Sequence, residues 1–162
     1  MRSPVLVIPP QDPVVTLPML KAHLRVVETD HDALIEAFAD AAVAYLDGWR
    51  GLLGRAIMPQ TWEETFTGSG PHRLSLPDVI DATVTADGAV VSATVTAEAL
   101  GPLVTLDASA SGAVIQYQCG LPVSLLPAAQ AAVMLYVEHL RDGTDLSPAF
   151  HSLVSMLRRK EI

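Results

Sequence analysis

"GAVIQYQCGLPVSLLPAAQAAVMLYVEHLR", residues 112–141, sets a short β-like segment directly against a helix signal. "GAVIQYQC" reads as a strand. From Leu126 to Arg141 a helix is predicted, with Pro127 at a first-turn position, where its missing N–H costs no bond. Its interior "AAVMLYV" is apolar almost all round, whereas a surface helix carries one apolar stripe and a polar face. Such a helix belongs either to the core of its domain or to a subunit interface.

Upstream, from Pro59, runs a series of short β-like segments: "QTWEETFT", "HRLSL", "VIDATVTA", "AVVSATVTA" and "GPLVTL". In "IDATVTADGAVVSATVT" the apolar period is two, and Asp87-Gly88 is a hairpin signal. Several strands are threonine-rich on one side, which predicts a wet sheet face. "TGSGPH", residues 67–72, reads as a hairpin loop between "WEETF" and "HRLSL" because Gly68, Ser69, Gly70 and Pro71 are all turn formers. "DASASG" is a loop.

Before the strands two helices are predicted. Residues 16–27 carry a stripe of Leu17, Leu20, Leu24 and Val27, with Thr16 as cap and Pro18 in the first turn. Residues 30–47 carry Leu34, Ala37, Phe38, Ala41 and Tyr45 at spacings of three and four. Between them, "HLRVVETDHDALI" (23–35) reads as a charged elbow: Thr29 caps the second helix with Asp32 three residues on, a weaker capping box, and Asp30 and Asp32 favour the helix dipole. "GWRGLLG" ends that helix with three glycines in seven residues. After "DGTD", Ser147 caps a last helix with Pro148 in its first turn and Phe150, Leu153, Val154 and Leu157 on its apolar side. The expected fold is α+β: a helical bundle of about four helices with a small antiparallel β segment inserted between helices 2 and 3. The expected division is an extended amino-terminal arm at 1–15, a main domain at 14–143 and a carboxyl-terminal helix at 144–162.

At 162 residues, half of them apolar, the chain suits one domain. Aromatic residues are 5% and charged residues 17%, so the core must be built from closely packed Ala, Val and Leu. A net charge of -8 disfavours gripping a phosphate backbone, which takes Lys and Arg contacts. The single cysteine, Cys119, forms no internal disulfide and reads as a small buried hydrophobe. "MRSPVLVIPPQDP" is too short for a membrane span and lacks a signal-peptide cleavage pattern, so a soluble cytoplasmic chain with no membrane partner is expected. Its "VLVI" is either a loose end or lies on a neighbouring subunit.

Chemistry has little sequence support. No His-Glu-x-x-His, Cys-x-x-Cys or phosphate-cradling glycine motif occurs. His23 and His31 could meet a metal ion with Asp30 or Asp32, but no spacing requires it. Ser69 between glycines near His72 imitates a nucleophile elbow and is more simply a turn. Glu63 and Glu64 point to opposite faces of a strand. No catalytic residue, cofactor or metal is expected.

The segment from "VTLPMLKAHLRVVETDHDALI" through "GLLGRAIMPQTWEETF" resembles the head-tail connector, or adaptor, family of long-tailed bacteriophages, and gene transfer agents are similar to phages in this part. The matching residues are Lys21, His23, Leu24, Arg25, Asp30, Asp32, Ala33, Leu34, Gly54, Arg55, Gln60, Thr61 and Trp62, then Ile115, Tyr117, Gly120, Pro127, Ala131, Tyr136 and Arg141. The resemblance covers most of residues 14–143. Tyr136-Val137-Glu138-His139-Leu140 departs from the Trp-Tyr or His-Trp that many relatives have there.

The resemblance implies a non-enzymatic virion component: a homo-oligomeric ring, commonly of twelve copies, between the portal protein and a tail-side stopper or head-completion protein, with DNA passing through its lumen unread. Synthesis in the bacterial cytoplasm goes with it. Ring contacts are then expected at Ala131, Met134, Leu135 and Val137 on the long helix. Portal docking is expected at Phe150, Leu153, Leu157, Arg158, Arg159 and Lys160, an apolar stripe ending in a basic cluster. Deleting 147–162 should in this reading spare the ring and abolish attachment. The competing readings are a non-viral protein-binding module and a small metal-dependent hydrolase using His23, His31, Asp30 or His72.

Overall fold

The computed structural model describes residues 3–68, 70–98, 100–106 and 112–159. In chain order it has β1 (Val5–Ile8), α1 (Leu17–Leu24), α2 (Asp32–Leu46), β2 (Gln60–Thr67), β3 (His72–Arg73), β4 (Val79–Ala86), β5 (Ala89–Val91), β6 (Ala93–Thr96), β7 (Leu103–Leu106), β8 (Gly112–Cys119), α3 (Leu126–Asp142) and α4 (Pro148–Leu157). This is the α+β arrangement expected, four helices with an antiparallel β system inserted between α2 and α3. The chain forms two compact units, each discontinuous in sequence: a β unit from the amino end to Gln11 with Met58–Leu121, and a helical unit from Asp12–Ile57 with Pro122–Arg159.

In the β unit a five-stranded sheet runs β1-β2-β8-β4-β5 and a three-stranded sheet β3-β7-β6. β2 pairs antiparallel with β8 from Gln60↔Cys119 to Thr67↔Gly112, and β8 pairs on its other side with β4. Because side chains alternate across a strand, this register gathers Phe66, Val84, Ala113, Ile115, Tyr117 and Cys119 on one face, all buried. The opposite face carries Thr61, Glu63, Thr65, Thr83, Thr85, Gln116 and Gln118, the wet, threonine-rich face expected. Asp87 and Gly88 both take positive φ (49° and 79°) and close the β4–β5 hairpin.

Three local readings are corrected. β2 and β3 lie in different sheets, so 67–72 does not close a hairpin; Ser69 lies outside the described residues. Of "HRLSL" only His72–Arg73 is strand, while Leu74 and Leu76 are buried plugs. "AVVSATVTA" divides at Ser92 into β5 and β6, one in each sheet. In "DASASG", residues 107–111 lie outside the described residues.

The amino-terminal "VLVI" is neither loose nor without a partner in its own chain. It forms β1, paired antiparallel with β2 at Val5↔Glu63 and Leu6↔Trp62 at the edge of the large sheet. All four side chains remain exposed.

In the helical unit α1 ends at Leu24, not Val27. Arg25 takes a left-handed conformation (φ 56°) and Val26 N–H donates back to the Lys21 carbonyl at 3.0 Å, a helix-terminating turn that leaves Val27 85% exposed. α2 begins at Asp32, so Thr29 is not its cap; only the Thr29 backbone carbonyl engages the turn, accepting from Asp32 N–H at 3.2 Å. Its buried stripe is Ile35, Ala39, Ala42 and Leu46, one residue round from the expected one. α3 and α4 start where the prolines indicate, and Ser147 Oγ accepts from Phe150 N–H at 3.2 Å as a true cap.

Candidate assembly surfaces

The charged elbow is a set of structural contacts. Lys21 Nζ donates to Asp32 Oδ1 at 2.7 Å and to the Glu28 carbonyl at 2.8 Å, pinning the α1–α2 link. His23 Nε2 lies 3.2 Å from Glu138 Oε2 on α3, and Arg141 Nη1 donates to the Leu24 carbonyl at 3.0 Å, satisfying an acceptor at the open end of α1. His23 and His31 do not converge on a metal cage: among the described residues no group of three or more His, Cys, Asp or Glu side chains is placed to hold one. His72 is instead stacked on Phe66, with centroids 4.3 Å apart.

One polar cluster is buried in the β unit. Glu64, 1% exposed, accepts from Ser75 N–H at 2.9 Å, from Ser75 Oγ–H at 3.1 Å and from the Tyr117 hydroxyl. Burial, and then the neighbouring Glu64 charge, push the Tyr117 hydroxyl well above the ordinary tyrosine range. Both residues are sealed from solvent, so the cluster braces the sheet and offers no substrate access. The opposite orientations of Glu63 and Glu64 are as expected: Glu63 takes a bond from Gln116 Nε2 on the exposed face. That Glu64 would be the inward member was not read from sequence; the inward Phe66 two residues on was the available signal.

The remaining functional candidates are surfaces. On α3 the expected ring residues Ala131, Met134 and Leu135 are half-buried, while Val137 is fully buried inside its own unit. The stretch Val123–Asp142 is long and apolar enough to cross a membrane by length and composition alone. α3 packs against both α2 and α4, and most of its residues that are not buried are half-buried. A second apolar stripe lies on the outward side of α2, with Leu34 51% and Tyr45 43% exposed and Ala37 and Ala41 between them. The Tyr45 ring stacks on Tyr136 with centroids 4.7 Å apart.

Of the expected docking residues, Phe150 and Leu157 are buried in the helical unit, Leu153 and Arg159 are half-buried and Arg158 is exposed. Lys160 lies outside the described residues. The end of α4 is joined to the loop that follows α2: Arg159 N–H donates to the Leu53 carbonyl at 3.0 Å, and Arg55 Nη1 donates to the Leu157 carbonyl at 3.0 Å.

This arrangement has a solved counterpart. The chain is similar to a chain in the structure described as the neck of an empty GTA particle computed with C6 symmetry, at 18% sequence identity and a TM-score of 0.71, over 99% of this chain and 97% of that one. At that identity the likeness establishes the fold. No protein-family model matches, and no curated protein does.

Proposed function

We propose that this chain is a structural head-tail connector (adaptor) of a phage or gene-transfer-agent particle, forming a ring that lets DNA pass between the portal and the tail-side stopper. The observation that carries this reading is the near end-to-end likeness to a GTA neck chain. No step of catalysis, cofactor or metal belongs to the proposal.

A ring needs two different complementary surfaces on each copy. We assign Ala131, Met134 and Leu135 on α3 to one, with Val137 holding that face from within, and the outward stripe of α2 to the other. Twelve copies is the expected number; a neck treated with C6 symmetry is compatible with six or twelve. With a net charge of -8 the ring would pass DNA without gripping it.

Portal docking is assigned to the end of α4, through Leu153, Arg158, Arg159 and Lys160, with Phe150 and Leu157 anchoring the helix. Because those two side chains are 1% and 0% exposed, removing 147–162 would unfold the helical unit, so surface substitutions replace deletion as the test of docking. The reading as a whole is tested by electron microscopy of particles bearing a tagged chain. Density at the head-tail junction with six or twelve copies is expected. Uniform placement elsewhere on the particle would refute it.

A further inference from the structure

The helical unit is uneven in charge along its length. Residues 47–57 and 148–159 contain four of the sequence's ten Lys and Arg residues, Arg50, Arg55, Arg158 and Arg159, and a single carboxylate, Asp47. Asp47 is committed internally, its Oδ1 accepting from Ile57 N–H at 2.6 Å. Where α1 and α3 end, by contrast, Glu28, Asp30, Asp32, Glu138, Asp142 and Asp145 collect. A chain with 18 acidic residues thus keeps one end almost free of them.

Arginine near a helix carboxyl terminus commonly answers the helix dipole, and Arg55 does so through the Leu157 carbonyl. Arg50 and Arg158 have a different setting: both are exposed, and Arg50 lies with its guanidinium carbon 5.5 Å from the centre of the Trp49 ring. In the last turn of α4, Met156 is 54% exposed. Trp, Arg and Met are the residues enriched at the centre of protein interfaces, and a stacked Trp–Arg pair is a frequent energetic anchor.

The loop that presents them is held rigidly. Leu52 N–H donates to the Tyr45 carbonyl at 2.9 Å, Leu53 N–H to Leu46 at 3.1 Å and Gly48 N–H to Arg55 at 2.8 Å. A side chain at Gly51 would stand 2.1 Å from the Asp47 carbonyl oxygen, so the tight path is built on glycine. A surface fixed before contact loses little entropy on binding.

We propose that this end of the helical unit is a preformed docking surface for an acidic, partly apolar protein segment of the head-side ring, centred on Trp49 and Arg50 of the loop together with Arg158. It rests on the connector reading and deepens it, adding loop residues to the docking face and naming the partner's chemistry. Exposed Arg50 and Arg158, with a half-buried Trp49 under Arg50 and an exposed Met156 on α4, favour a protein over DNA, whose binding draws on many phosphate contacts.

The test uses the full chain and purified portal rings of the same particle, with Arg50→Glu, Arg158→Glu and the double variant. Circular dichroism checks the fold and sedimentation checks ring formation; both should match wild type because the substituted side chains are exposed. Each reversal should weaken portal binding roughly 10-fold, and wild-type binding should weaken as salt rises from about 0.05 to 0.3 M. Folded double variant that binds portal as tightly as wild type overturns the inference alone. So does loss of binding to a duplex of about 30 bp with portal attachment intact, which would make this a nucleic-acid contact. Wild-type chain that ignores portal rings overturns the inference and the connector reading together.

Discussion

Replacing Glu64 in the β unit should show how much of the large sheet's stability rests on one buried carboxyl group. Its three hydrogen bonds, to Ser75 N–H, Ser75 Oγ–H and the Tyr117 hydroxyl, all lie in or beside the core. Glu64→Ala removes the acceptor from three donors at once. Only the Tyr117 hydroxyl is a fully buried donor and Ser75 is half-buried, so at about 1–3 kcal/mol for the buried donor and less for the two from Ser75 the loss should be about 2–4 kcal/mol. Tyr117→Phe removes one bond and should cost about 1–2 kcal/mol. Glu64→Gln keeps an acceptor oxygen and should also cost about 1–2 kcal/mol. Urea unfolding of Glu64→Ala, of Tyr117→Phe and of Glu64→Ala/Tyr117→Phe forms a double-mutant cycle in which each single change removes the shared bond. The coupling should reach about 1 kcal/mol, because the two side chains share one bond. Additivity within about 0.3 kcal/mol would refute the bond's contribution. The pH dependence gives an independent check. Tyr117 holds its proton more tightly folded than unfolded, chiefly because it is buried. Its contribution is therefore complete below the ordinary tyrosine pKa of about 10 and is lost above it, at up to about 1.4 kcal/mol per pH unit. Tyr117→Phe should lack that component of the alkaline loss.

The helix caps separate cleanly: Ser147→Ala should cost about 0.5–2 kcal/mol in thermal or urea unfolding, whereas Thr29→Ala should change little because no Thr29 side-chain cap exists. Gly51→Ala should destabilise the helical unit by more than about 2 kcal/mol, since the added carbon would sit 2.1 Å from the Asp47 carbonyl oxygen; a neutral result by calorimetry would show that the loop can reroute. Met134→Glu with Leu135→Glu should leave the circular dichroism spectrum intact and abolish ring formation in analytical ultracentrifugation, while Phe150→Ala should instead cost about 3–5 kcal/mol of fold stability.

Sequence reading found the elements whose boundaries are set by local chemistry. β2, β4 and β8 fall on the segments expected, Asp87-Gly88 closes its hairpin, and Pro127, Pro148 and Ser147 mark the helix starts. It misplaced features decided by tertiary contact. In α2 the stripes Leu34-Ala37-Phe38-Ala41-Tyr45 and Ile35-Ala39-Ala42-Leu46 satisfy the same helical period, and packing against α3 and α1 selects the second as core. Thr29 had a suitable spacing for a cap, but Lys21 engages Asp32 and the helix begins three residues later. The division of short strands between two sheets depends on pairings distant in sequence, such as His72↔Val104, which period-two patterns do not encode. The candidate surfaces were half legible: the apolar excess of α3 stood out, whereas the convergence of the 47–57 loop on the end of α4 depends on hydrogen bonds between residues more than a hundred positions apart.

β2 and β8 begin and end the long insert, and they are hydrogen-bonded neighbours from Gln60↔Cys119 onward. Paired strands run about 5 Å apart, so the chain leaves for its β excursion and comes back at almost one spot. Beside that doorway Gly120 is packed so tightly that a side carbon would come within 2.9 Å of the Pro59 nitrogen. The excursion is therefore a cassette with a latched entrance. Whatever happens to its far turns, such as β4–β5, the spacing of its two attachment points stays fixed. Lineages could lengthen, trim or exchange the sheet to suit a new neighbour while the four helices kept their route.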